Sequence, residues 1–108
     1  MDGDNSYSLR LSARAIDDLW REIDYLNFED EQLGRGFYDD FQKTIARIQQ
    51  NPFLYAEVIL FVRGGLFKKF NFQVFYAVDE INFIVEVIGI LHQKQNPNII
   101  LQRLNLES

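Results

Sequence analysis

The chain contains no cysteine and a single histidine, His92. Disulfide frameworks and thiol chemistry are thereby excluded, and the nitrogen and sulfur ligand sets of zinc sites cannot be assembled. Neither a metal nor a cofactor is expected, so any catalysis must use carboxylates, Lys, Arg, Tyr or the one imidazole. A long hydrophobic run is missing too. The longest strongly apolar stretch, residues 83–91, is interrupted by Glu86 and has about half the length a membrane-crossing helix needs, so it reads as a buried strand. The first six residues are acidic and polar, the reverse of a secretory signal, which implies a cytoplasmic protein with no membrane role.

Basic residues are in the minority, 11 Lys and Arg against 16 Asp and Glu, for a net charge of -5 over 108 residues. That balance argues against a generic nucleic-acid binder, whose affinity comes largely from neutralising phosphates. The imbalance lies in one half, however: residues 1–50 carry 11 acids and 6 bases, residues 51–108 carry 5 of each. The second half can therefore present a local cationic patch. Length and a 47% apolar content suit one core, hence a single domain over residues 1–108, with residues 1–5 as a disordered tail.

Residues 7–11 alternate, Tyr7, Leu9 and Leu11 against Ser8 and Arg10, which is the period of a half-exposed edge strand. From Ser12, a suitable N-cap, Ile16, Leu19, Trp20, Ile23 and Leu26 recur at helical spacing. Asp30 caps a second helix with Leu33, Phe37, Phe41, Ile45 and Ile48 as its stripe, ending at Asn51-Pro52. Gly34 and Gly36 imply an irregular first turn or a close helix approach. Strands are then expected at residues 58–62, 66–70, 72–78 and 83–91, with the Gly64-Gly65 pair separating the first two and residues 79–82 forming the last turn. The last two strands are apolar on both faces and belong inside the sheet. Asn96 and Pro97 open a short terminal helix carrying Ile100, Leu101 and Leu104. The expected fold class is α+β: an N-terminal edge strand, an antiparallel helical hairpin on an antiparallel β-meander, and a short C-terminal helix.

Three segments carry a resemblance. They are Val62-Arg63-Gly64-Gly65-Leu66-Phe67-Lys68-Lys69-Phe70, Asn71-Phe72-Gln73-Val74-Phe75-Tyr76-Ala77-Val78, and Ile88-Gly89-Ile90-Leu91-His92-Gln93-Lys94-Gln95-Asn96-Pro97, followed by Arg103. In order and spacing the chain resembles the RelE/ParE superfamily of toxins from type II toxin-antitoxin systems, also called plasmid stabilisation proteins, over residues 6–104. The resemblance implies a catalytic set of His92, Arg63 and Lys94 and a target- or phosphate-binding set of Arg63, Lys69, Lys94 and Arg103. Departures fall at other functional positions of the family pattern. Asn71 stands where a hairpin proline is usual, Gln73 where many members, the ribosome-dependent RNases among them, carry an arginine, Gln95 at an arginine position after the histidine, and Gly64 where a second basic residue often follows the first.

Each candidate also has a plainer reading. His92 is a general base or phosphate ligand by function, or a strand-end histidine bonded to backbone. Arg63, Lys68, Lys69, Lys94 and Arg103 make one patch, or they are solvated strand ends. Lys68 and Lys69 point to opposite faces if one strand holds both, and Lys69 is then the better patch member. Glu86, on the face expected for Ile84, Ile88 and Ile90, is a second titrating group for His92 or sits at a wet end of the sheet. Tyr76 is a phosphate donor or a core tyrosine with its hydroxyl satisfied. Phe28, Phe53, Tyr55 and Phe61 are packing residues, or, where exposed, mark a groove for a partner chain.

Three functions follow from the resemblance. A ParE-like inhibitor of DNA gyrase needs only a binding surface and suits the retained residues. A RelE-like interferase, cutting mRNA on the ribosome, needs a base, an acid and several arginines, most of which are absent. An inactive family member would serve in protein interaction alone. The implied partner is a cognate antitoxin laid over the toxin, and a homodimer would cover the same groove when the antitoxin is missing.

Overall fold

The computed structural model describes residues 7–104, and the tail expected at residues 1–5 lies outside them. The elements are β1 (Ser8–Leu11), α1 (Ala13–Glu29), α2 (Glu31–Gln50), β2 (Glu57–Ile59), β3 (Val62–Leu66), β4 (Phe72–Asp79), β5 (Ile84–His92) and α3 (Asn98–Leu104). They form an α+β fold around one five-stranded sheet, ordered β1-β5-β4-β3-β2. The last four strands are an antiparallel meander, and β1 pairs parallel to β5, with Leu11 opposite Val87.

Capping fixes the helices where the side chains predict. Ser12 Oγ accepts the Ala15 amide at 3.1 Å, and Asp30 ends α1 and caps α2 by accepting the Gln32 amide at 2.9 Å. The hairpin is tight at Gly34, where a Cβ would run into the Asn27 side chain.

One face of the sheet packs on α1 and α2 through Leu19, Ile23, Phe37, Ile45, Ile48, Val74, Tyr76, Val85 and Val87, all buried. The other face holds Val62, Phe75, Ile88 and Leu91 and is covered by Ile100 of α3. The terminal helix thus supplies the second cover that two-sided apolar strands require.

Two expected strands are redrawn. The stretch read as one strand over residues 58–62 is broken by a tight hairpin, with Leu60 in the left-handed region at φ 51°. The glycine pair lies inside β3 rather than before it, because that strand runs close beneath α2: a Cβ on Gly65 would come 2.8 Å from Ile48 Cδ1. The strand expected at residues 66–70 ends at Leu66. Beyond it the chain turns into a loop whose three amides, of Lys68, Lys69 and Phe70, donate to the buried Asp40 carboxylate at 3.1, 2.7 and 3.0 Å. Lys68 and Lys69 therefore share no strand, and both are exposed.

A register shift opposite Phe75 and Tyr76 inserts an extra residue in β5: Tyr76 faces Val87, while Phe75 faces Gly89. A bulge moves every later side chain to the opposite face. Ile90 consequently joins the core beneath α1 and α2, parting from Ile88 and from Glu86, which is exposed.

Candidate functional site

His92 ends β5 opposite Phe72, whose ring it meets edge to face at 5.2 Å. Its Nδ1 accepts the Lys94 amide at 3.0 Å, so in the neutral ring the proton sits on Nε2. Its own amide donates to Gln95 Oε1 at 2.9 Å. The imidazole is half-buried and aimed at the cleft between α1, the end of β5 and α3.

That cleft, of about 290 Å³, is lined by Asp18, Arg21 and Glu22 from α1, by His92 and Gln95, and by Arg103 from α3. Phe72, Leu91 and Ile99 form its apolar walls. Asp18, Arg21 and Glu22 share a helix face because positions three and four apart are neighbours. Burial pushes the Glu22 carboxyl above its usual range, and a positive charge on His92 pulls it partway back. Glu22 is thus the titrating neighbour of His92. Glu86, the expected one, is exposed and six positions back along β5, about 20 Å at strand rise, on the opposite face.

Beneath the cleft Arg103 is held by Asp18, Nη1 to Oδ2 at 2.5 Å and Nη2 to Oδ1 at 3.0 Å. Asp18 Oδ2 also accepts the Ile90 amide at 2.9 Å. Arg103 is therefore an anchor of the fold, with its terminal nitrogens engaged; its Nε finds no acceptor among the described residues.

Arg63 stands elsewhere. It pairs with Tyr76 while His92 pairs with Phe72 on the far side of β4, about 13 Å apart along the strand alone. Its guanidinium donates to the Tyr55 carbonyl at 2.6 Å, lies over the Phe53 ring at 5.0 Å and reaches Glu57 at 3.8 Å. Lys69 sits in the loop held by Asp40, and Lys94 in the turn after His92, exposed. The cations expected to form one patch are divided: Arg103 and His92 share the cleft, Lys94 stands beside it, and Arg63 and Lys69 do not line it. Tyr76 is a core residue: its hydroxyl donates to the Pro52 carbonyl at 2.7 Å, and burial pushes its pKa up to about 12.

Sequence reasoning missed Arg21 and Glu22, which read as the polar side of an amphipathic helix. It also missed how exposed Trp20 would be. A second and larger cavity, of about 700 Å³, opens on the outer face of the hairpin between Trp20, Ile23, Gly34 and Tyr38, with Glu31, Arg35 and Asp39 around it. Trp20 and Tyr38 stack there at 5.9 Å, 49% and 37% exposed. Phe28, Phe53 and Phe61 are exposed as well, while Tyr55 is half-buried and binds Arg47 through its hydroxyl.

The family model for the ParE toxin of type II toxin-antitoxin systems matches residues 9–97. The chain belongs to this toxin family. Toxins of solved type II systems have the same architecture. The chromosomal ParDE system from P. aeruginosa superposes with a TM-score of 0.68 at 17% identity, covering 82% of this chain and 98% of the other. A double arginine-to-alanine variant of E. coli RelE in the free state gives 0.67 at 13% identity, covering 94% and 97%. The RelBE2 toxin-antitoxin complex from Mycobacterium tuberculosis gives 0.59 at 12% identity, covering 81% and 98%. The relatives thus include both ParE and RelE branches, and at these identities they establish the fold alone. No curated protein matches the chain in sequence. No helix among the described residues is long and apolar enough to cross a membrane.

Proposed function

We propose that this toxin arrests growth by binding a target protein in the ParE manner, with DNA gyrase as the target, and that it does not cut messages efficiently. The observation that carries this reading is the dispersal of its cations. Efficient metal-free RNA cleavage needs several positive groups around the developing phosphorane charge, and each such donor removed costs about 10²- to 10³-fold. Here Arg63 is held by the Tyr55 carbonyl, Arg103 by Asp18, and Lys69 sits in a separate loop. The hairpin groove around Trp20 and Tyr38 is where a cognate antitoxin would lie, its apolar side chains covering the stacked rings. The proposed site of action is the cytoplasm.

One observation favours the RelE-like alternative. Glu22 stands by His92 and offers the second titrating group that message cleavage requires. Induced expression without antitoxin separates the readings. Growth arrest with an SOS response, inhibited supercoiling in vitro and uncut messages in primer extension is expected. Codon-specific cuts that vanish in His92→Ala would restore the interferase, and normal growth with soluble protein would leave an inactive interaction module.

A further inference from the structure

The outer face of the helical hairpin leaves two aromatic rings and an isoleucine in water. Trp20 and Tyr38 stack across the groove between α1 and α2, and Ile16, one turn before Trp20, is exposed beside them. The Tyr38 ring is set without a partner, since Gln42 Nε2 donates to its hydroxyl at 3.1 Å. Both walls of the groove are helices whose backbone groups are bonded within their own turns. An extended chain laid there would bury unpaired amides, whereas a helix satisfies its own. The 17 residues of α1 offer such a helix a track of about 25 Å at helix rise.

The charges along the groove select its occupant. On α1, Asp17 and Asp24 lie three residues before Trp20 and four after it, hence beside it on the helix surface, and both are exposed. Neither meets a base among the described residues. Arg21, the nearest base on α1, leans away to Asp18 and the cleft at the end of β5. On α2 the rim carries Glu31 and Asp39, the latter held by Lys43 at 3.2 Å, and Arg35 is the single base lining the cavity. Four acids against Arg35 and Lys43 leave the two rims at a net charge of -2, with the α1 rim wholly acidic.

We propose that the occupant of this groove is a cationic amphipathic helix, with apolar side chains at helical spacing over Ile16, Trp20 and Tyr38 and with Lys or Arg on the side facing Asp17 and Asp24. The inference rests on the reading of this groove as the antitoxin's seat and adds the sign of the charge: the segment that neutralises this acidic toxin is basic. Complementary charge steers the helix in and fixes its register, while the apolar contacts hold it. An acidic helix meets two unpaired carboxylates on the α1 rim. A second copy of the chain fits poorly for the same reason, because it would set one acidic rim against another.

Trp20 is the only tryptophan of the chain, so its emission reports on the groove directly. The full chain is titrated with two designed helical peptides of about 18 residues, long enough for the track. They share one leucine stripe and differ only in their flanks, Lys in one and Glu in the other; a scrambled Lys peptide controls for composition. The Lys-flanked peptide is expected to shift Trp20 emission to the blue saturably and to bind about tenfold tighter than the Glu-flanked one at low salt, as attractive exposed pairs replace repulsive ones. The gap is expected to close at about 0.5 M salt, where exposed charges are screened. The double variant Asp17→Lys with Asp24→Lys, at two exposed positions, is expected to reverse the preference. Equal affinity for the two flanks, a scrambled peptide that binds as well, or a double variant that still prefers Lys would overturn the proposal. So would a concentration-dependent shift of Trp20 without peptide, which would give the groove to a second copy. The cognate antitoxin, bound to parent and double variant, tells the two claims apart. Trp20 emission unmoved in that complex removes the antitoxin reading of the groove and this inference with it; emission that moves, with equal affinity for parent and variant, keeps that reading and overturns the charge assignment alone.

Discussion

Asp18 in α1 and Arg103 in α3 clasp each other around the edge of β5, with contacts of 2.5 and 3.0 Å and only 2% and 11% of their side chains exposed. The pair exists because β1 is short. It pairs with β5 as far as Val87, and the edge beyond would otherwise be open. Side chains close it instead: Ser12 Oγ and Arg103 donate to the Ile88 carbonyl, the Ile90 amide donates to Asp18, and the His92 amide donates to Gln95. Eighty-five positions apart, the two residues hold three elements in register.

Asp18→Ala is expected to destabilise the fold by about 3 to 5 kcal/mol, because it strands a buried guanidinium and a backbone amide together. The double variant Asp18→Leu with Arg103→Met should lose less than Asp18→Ala alone, since no buried charge is left unpaired. Urea denaturation of the three proteins checks this ordering.

Asp40→Asn should cost about 2 to 4 kcal/mol, as an amide nitrogen replaces one oxygen facing three converging backbone donors. The aromatic cluster that this loop delivers to Phe37, with Phe67 at 5.0 Å and Phe70 at 5.2 Å, would loosen with it. Hydrogen exchange at Lys68, Lys69 and Phe70 is expected to accelerate in the variant while exchange in the centre of β4 stays slow.

Tyr76→Phe removes one buried hydrogen bond and should cost about 1 kcal/mol near neutrality. Its alkaline behaviour is more telling. The folded-state pKa of about 12 exceeds the ordinary value of 10.0, so the tyrosine's contribution is complete below pH 10 and is lost as pH rises through 12. Melting curves between these values should converge for parent and variant.

Trp20→Ala and Tyr38→Ala, alone or together, are expected to change stability by less than about 1 kcal/mol, because both rings are already partly in water. If the hairpin groove receives the antitoxin, the same changes should weaken antitoxin binding at least tenfold, measured by titration calorimetry with the cognate partner. Unchanged affinity would place the antitoxin elsewhere.

The residues that build the elements announce themselves along the chain. Ser12, Asp30 and Asn51-Pro52 bound two helices by local hydrogen-bond chemistry, and the two-sided apolar runs of β4 and β5 can only lie inside a sheet. These are short-range consequences of side-chain type, legible without a fold. Strand limits were less so near the glycines, since Gly65 answers to Ile48 on another element and a glycine kept for close approach looks like one kept for a turn.

The candidate site was legible only in part, and the difference is one of distance along the chain. His92 was apparent as the single imidazole in a recognisable segment, but its neighbours were set by a bulge at one position of β5, which turned it away from Glu86 and toward Glu22, seventy positions earlier. Arg103 was likewise apparent as a late cation, while its burial against Asp18 depended on where β1 stops and where α3 lands. Sequence by itself determined the elements, their order and the family, because propensity, capping and periodicity act over a few residues. Only the tertiary structure decided which charges meet, because an ion pair or a cleft is made by side chains that packing brings together from distant turns of the chain, and a one-residue shift in a strand reassigns them all.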